Sequence, residues 1–257
     1  VGANQFLVEV SRNDLFGEST DTTVDSDSDV LFSGGFVYDT QVAGLSVFGG
    51  YAENFKSISD NILERESADL SNIEPETSEN MELGLRYEGD QMYLTATYFD
   101  SVFENRIIFL APGSSAGNDY LIGTNGTYFN SGGIESSGFE LSATFDITEQ
   151  WSMYGAYPLL DATYKGTGDD GADAANGIFS GNDVTGIADS MWVLSADFTG
   201  ELFTAGLSAK STGSRAVNTA NTWFTDEYVL VDAFLSIAGE DLAEDLTGWR
   251  IHAQVHN

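Results

Sequence analysis

Between Glu79 and Glu88, Met81, Leu83, Leu85 and Tyr87 alternate with Glu82, Gly84, Arg86 and Glu88. A period of two puts successive side chains on opposite sides of an extended strand, so this segment has one apolar face and one charged face. The pattern recurs. Phe139, Leu141, Ala143 and Phe145 alternate with Glu140, Ser142, Thr144 and Asp146, and Trp192, Leu194, Ala196 and Phe198 with Val193, Ser195 and Asp197. Phe203, Ala205, Leu207 and Ala209 alternate with Thr204, Gly206, Ser208 and Lys210, and Trp249, Ile251, Ala253 and Val255 with Arg250, His252 and Gln254. In each, one face is costly to bury without polar partners. No helical period persists, and proline is confined to positions 75, 112 and 158.

The alternation predicts about eleven strands, near 3–11, 29–38, 43–53, 79–89, 91–104, 133–147, 150–164, 187–199, 202–213, 225–238 and 247–257. Their connections alternate in length. YDTQVA (38–43), EGDQ (88–91), DITEQ (146–150), TGE (199–201) and GEDLAEDLT (239–247) are short, and the stretches between them are long and rich in Gly, Asn, Asp and Ser. An antiparallel meander with that rhythm collects its short turns at one end and its long loops at the other. Soluble sandwiches use shorter strands and lack the asymmetry, whereas outer-membrane barrels have both features. The expected fold is therefore all-β, a transmembrane antiparallel up-and-down barrel, here an incomplete portion with short periplasmic turns and long extracellular loops. An odd strand number leaves such a barrel open. Tyr51, Phe55, Trp151, Tyr154, Tyr164, Trp223, Tyr228 and Trp249 fall toward strand ends and are expected to form interface girdles.

Charge narrows the partners. With 41 Asp and Glu against 9 Lys and Arg, the net charge of −32 repels nucleic acid, so no nucleic-acid partner is expected. The acids do not form one block; acidic stretches such as DTTVDSDSD (21–29), SDNILERESAD (59–69) and GTGDDGADAAN (166–176) lie between the strand-like runs and read as solvated loops. Cysteine is absent, which excludes disulfides and thiolate metal sites. The opening VGANQFLVEV lacks a basic n-region and an apolar core, so no signal peptide is expected in it.

Several motifs fail on their chemistry. GTGDDG (166–171) fits a dinucleotide fingerprint, but Asp169 and Asp170 would repel phosphate. Asp25, Asp27 and Asp29 alternate as in a calcium-binding hand, yet Val30 and Phe36 stand where Gly and Glu are required. His252 and His256 share a strand face about 13 Å apart, too far to hold one metal, so they read as polar wall residues. No Ser, His and Asp arrangement suggests a nucleophile. The expectation is no enzyme, no catalytic residue, no metal and no cofactor.

Residues 70–107, LSNIEPETSENMELGLRYEGDQMYLTATYFDSVFENRI, resemble the barrel of TonB-dependent outer-membrane receptors. That family often carries Pro-Glu, a Ser or Thr, then Glu-x-Gly-x-Arg entering one strand and Tyr-Phe leaving the next. SVFGGYAENFKS (46–57), FNSGGIESSGFELSATF (129–145) and GWRIHAQVHN (248–257) resemble further family strands in the expected order. The resemblance covers residues 29–257 and implies the C-terminal part of a barrel of about 22 strands around a plugged lumen. On this reading residues 1–257 are one partial barrel, with the plug domain and final strand absent. The resemblance also implies residence in the outer membrane of a Gram-negative bacterium, among its lipid and lipopolysaccharide. The implied activity is binding of a scarce nutrient, most often a ferric siderophore or similar iron chelate, and its passage to the periplasm with energy from the TonB system, engaged through the missing plug. Arg106, Tyr120, Tyr128, Phe129, Arg215 and Trp223 are the loop residues expected to meet the ligand, Arg pairing with carboxylates and the rings covering apolar parts. Glu82, Arg86, Glu140, Asp197, Arg250 and His252 are expected to face the lumen. A passive porin or oligosaccharide channel is the alternative, and a secreted acidic calcium-binding β adhesin the more distant one.

Overall fold

The computed structural model describes residues 1–12, 22–59, 62, 73–110, 127–175, 177–239 and 242–257. Its strands in chain order are β1 (Gly2–Asn4), β2 (Glu9–Arg12), β3 (Thr22–Asp25), β4 (Leu31–Asp39), β5 (Leu45–Lys56), β6 (Glu76–Glu88), β7 (Met92–Glu104), β8 (Ile107–Leu110) and β9 (Thr127–Asn130). There follow β10 (Gly133–Asp146), β11 (Trp151–Lys165), β12 (Met191–Thr199), β13 (Phe203–Thr212), β14 (Arg215–Ala216), β15 (Phe224–Thr225), β16 (Tyr228–Ala238) and β17 (Arg250–His256), with a short helix α1 (Asp170–Ala175) before β12. One 11-stranded antiparallel sheet runs β1-β4-β5-β6-β7-β10-β11-β12-β13-β16-β17, and its edge strands β1 and β17 do not pair with each other. No helix among the described residues is long and apolar enough to cross a membrane, which leaves crossing by strands open.

Two features differ from the sequence expectation. The strand expected over 3–11 divides, Gly2–Asn4 joining the sheet and Glu9–Arg12 pairing with β3 outside it. Three two-stranded ribbons, β2-β3, β8-β9 and β14-β15, stand in the long connections.

Register carries the two faces across the wall without a break. Tyr87, Leu94, Ala143, Gly155, Leu194, Ala209 and Val231 are successive cross-strand partners in one row of the outer face. Ala143, Gly155 and Ala209 stand among the larger residues of this row. Leu83, Leu141, Leu194 and Leu207 on this face are 54%, 47%, 54% and 55% exposed. A row of half-exposed leucines is an aggregation hazard in water and the ordinary state of a barrel in lipid. The apolar band ends toward the loops at Asp100, Ser137 and Asp161, which are cross-strand neighbours. Toward the short turns it ends in Trp151, Phe198 and Phe203, with ring centroids 5.0 and 5.1 Å apart.

Short turns close with local chemistry. Gly44 has φ of 78° and its carbonyl accepts from the Glu88 amide at 2.8 Å, and a Cβ there would run into the Glu88 backbone. The Thr148 hydroxyl accepts from the amides of Gln150 and Trp151 at 3.2 and 3.1 Å, turning β10 into β11.

The fully buried apolar side chains lie in the connections rather than in the middle of the sheet. Ile58, Ile62 and Ile73 cluster, with Ile107 and Tyr128 packed against them. The long loops therefore have a core of their own.

Candidate functional site

On the inner face Glu82, Arg86, Glu140, Asp197, Arg250 and His252 all share one side of the sheet, because the register passes from Arg86 through Thr95 and Ser142 to β11 and onward to β17. Arg86 lies over the Phe48 ring, 5.3 Å from its centroid. Phe48 lies flat on Gly84, where a Cβ would collide with the ring. Phe234 covers Gly206 in the same way and stacks on His252 at 5.9 Å. Rings laid on glycines keep the inner wall low, which leaves room for whatever fills the lumen. His256 Nδ1 lies 2.8 Å from an Asp232 carboxylate oxygen, and His252 Nε2 lies 3.1 Å from Gln254 Oε1, so each histidine has its own local partner.

Tyr154, Tyr164 and Tyr228 also fall on this inner face by register and not on the outer girdle expected for them. Their even numbering on these strands sets the side, which closeness to a strand end cannot. Tyr51, Trp151 and Phe55 do lie on the outer face.

At the loop end the connections form two ordered groups. In the first, the Ser26 hydroxyl accepts from the Ile58 amide at 2.8 Å, and Phe6 stacks on Phe55 at 6.2 Å. Asn130 holds the β5-β6 connection to the β7-β10 connection. Its side-chain oxygen accepts from the Glu74 amide at 2.7 Å, and its NH2 donates to the carbonyls of Glu74 and Asn105 at 2.8 and 2.6 Å. In the second, Asn221 gives and takes the same pair of bonds with the Asp183 backbone, at 3.1 and 2.6 Å. Asn105 and Asn221 both have positive φ, a conformation asparagine tolerates better than most residues.

The acidic loops are less freely solvated than their composition suggests. Asp173 is buried in α1, where its carboxylate accepts from the Thr167 amide and hydroxyl at 2.8 and 2.7 Å. Asp27 accepts from the Val8 amide at 2.9 Å. Asp189 is the reverse case. Partial burial first, then the charges of Asp183 and Asp161, push its pKa above the ordinary carboxylate value.

The expected ligand residues divide between these groups. Arg106, Tyr128 and Phe129 belong to the β8-β9 side, where Arg106 pairs its backbone with Gly132 and Ser131, and Phe129 faces Ile108. Tyr128 packs on the isoleucine cluster and lies 5.0 Å from the Phe109 ring, so part of its surface is spent on holding the loop. Arg215 and Trp223 belong to the β14-β15 ribbon, Arg215 facing Thr225 and Trp223 being 72% exposed. Tyr120 lies outside the described residues. Sequence reasoning missed the clamps Asn130 and Asn221 and the role of Phe48. The first two look like any loop asparagine, whereas Gly84 in the middle of a strand was a signal for a ring nearby.

Residues 8–257 match the family model described as TonB dependent receptor-like, beta-barrel. The chain belongs to this family. It is a family of transport receptors and not of enzymes. The probable TonB-dependent siderophore receptor PiuA of Acinetobacter baumannii is 24% identical over 204 residues, which are 76% of this chain and 24% of that protein. Among solved structures, the ferric citrate transporter FecA superposes with a TM-score of 0.70 at 19% identity, covering 92% of this chain and 34% of FecA. BauA, the ferric preacinetobactin receptor of Acinetobacter baumannii, gives 0.66 at 15% identity, covering 95% of this chain and 33% of BauA. The open eleven-stranded wall is thus a partial TonB-dependent receptor barrel, and the chain spans only a quarter to a third of these relatives.

Proposed function

We propose that the chain is the C-terminal portion of the barrel of an outer-membrane active-transport receptor. It binds a ferric siderophore or similar iron chelate at its loops and passes it to the periplasm with energy delivered by TonB to a plug domain outside this chain. The observation that carries this reading is the wall itself. A lipid-type outer face, a low polar inner face and long loops with their own core at one end suit a receptor in which a ligand is held above a filled lumen. Similarity to receptors named for siderophores and ferric chelates supports iron as the cargo. The short turns are then periplasmic and the loops extracellular, and the inner-face residues Glu82, Arg86, Glu140, Asp197, Arg250 and His252 contact the plug or the water around it. Arg106, Phe129, Arg215 and Trp223 are the ligand contacts this reading retains among the described residues.

The test is growth of a strain lacking the complete gene on a panel of single iron chelates in iron-poor medium. Loss of growth on one chelate, restored by the gene and abolished by uncoupling TonB, is the expected result. Unchanged growth on every chelate, with lost uptake of an oligosaccharide that needs no TonB, would instead establish the passive channel.

A further inference from the structure

The apolar band of the outer face is not flat. Ala143 and Gly155 are direct cross-strand partners near its middle, and Ala96 lies one row nearer the loops on the strand before them. With little side chain at these three positions, Leu85, Leu141, Tyr157, Trp192 and Leu194 stand around a groove of about 590 Å³. A Cβ on Gly155 would come within 3.2 Å of Leu194 Cδ2, so the glycine keeps the floor low. The two ends of the groove differ. Toward the loops it stops at the next cross-strand pair beyond Ala96 and Leu141, which is Tyr98 and Phe139, with ring centroids 5.1 Å apart. Toward the turns its lining runs out to Leu45, the first residue of β5, and to Tyr87, the last but one of β6. The turns beside this opening, residues 39–45 and 87–94, carry Asp39, Glu88 and Asp90 and no Lys or Arg.

We propose that this groove seats an acyl chain of a phospholipid whose headgroup carries a free ammonium, taken from the leaflet on the turn side. The proposal rests on the reading of the wall as membrane-embedded. Apolar side chains around an empty groove lose their dispersion partners, and in lipid the group at hand to fill it is a hydrocarbon chain. The rings of Tyr98 and Phe139 bar entry from the loop side, so the chain enters from the turns, and that sets the leaflet. Charge then selects the headgroup. Beside three carboxylates and no neighbouring cation, an ammonium gains ion pairs, whereas a headgroup of net negative charge is repelled.

The test places the complete receptor in phosphatidylcholine vesicles containing, at equal mole fraction, brominated-chain phosphatidylethanolamine or brominated-chain phosphatidylglycerol. Bromine quenches a nearby indole, and the difference between the parent and Trp192→Phe isolates the tryptophan of the groove. Quenching of Trp192 should report an association about threefold stronger for the ethanolamine lipid, a preference of the size that exposed ion pairs supply. Gly155→Leu and Ala143→Leu fill the floor and should lower the quenching of Trp192 by both lipids. The triple variant Asp39→Asn/Glu88→Gln/Asp90→Asn should keep the quenching and lose the preference. Heat-shifted gel migration verifies that each variant is folded. Equal quenching by the two lipids in the parent, or unchanged quenching in the folded floor variants, overturns the site and leaves the membrane reading intact. A complete receptor that does not enter vesicles at all overturns both.

Discussion

Leu85 is half exposed on the outer face, and Arg86 beside it lies over Phe48 on the inner one. Lipid is the solvent of the first and the lumen that of the second, so equivalent changes at adjacent positions should differ in cost. Leu85→Arg is expected to destabilise the inserted barrel by about 2–4 kcal/mol, since a charge on the lipid face near the midplane costs that much. Arg86→Leu forfeits one exposed cation–π contact and is expected to cost under about 1 kcal/mol. Urea titrations of the complete receptor folded into vesicles give both numbers, and the opposite order would mean that the facing is inverted. Gly84 tests the wall more finely. Gly84→Val must lift the Phe48 ring, at a cost of about 1–3 kcal/mol for overpacking. Combining it with Phe48→Ala should recover part of that cost in a double-mutant cycle, and strict additivity would count against the contact.

The strands and the loops differ in how much of them could be read ahead of the structure. Ten of the eleven strands of the main sheet lie where the alternation puts them, because partition between lipid and lumen imposes a period of two over seven to fifteen residues, whereas the strand expected over 3–11 enters the sheet only as Gly2–Asn4. The side on which Met81, Leu83, Leu85 and Tyr87 lie follows from the same rule. The ribbons escaped it. Four residues of β8 pair with four of β9 across a long intervening segment, and so short a run leaves no period to detect. Asn130 and Asn221 act through backbone groups distant in sequence, which composition cannot encode. Their effect should be local to the loops. Asn130→Ala leaves the Glu74 amide and two carbonyls without their partner, and is expected to loosen the first loop group by about 1–3 kcal/mol. Hydrogen exchange at the amides of Ile73 and Glu74 and of residues 105–107 should accelerate while β6 and β7 keep their protection. Equal loosening of those strands would show that Asn130 supports the wall itself.

Across the whole molecule, charge is kept away from the apolar band and concentrated at the loop end, and the excess of acid has a cost there. Asp189 is drawn partly out of water with the charges of Asp183 and Asp161 nearby, and its pKa is raised for those reasons. Its charged form is therefore less favourable in the folded protein than in the unfolded chain. A carboxylate with a raised folded pKa favours the fold most when protonated, and that contribution is lost as pH rises through the folded value. At neutral pH, removing the charge should help. Asp189→Asn is expected to raise the melting temperature of the complete receptor at pH 7. Its advantage should shrink as pH falls through the raised value and vanish below the ordinary carboxylate range near about 3.9. Added salt at pH 7 should narrow the same gap by screening Asp183 and Asp161, while leaving the part due to burial. A variant more stable by the same margin at every pH and salt concentration would place the gain in packing or backbone preference. The repulsion would then have no measurable effect on the fold.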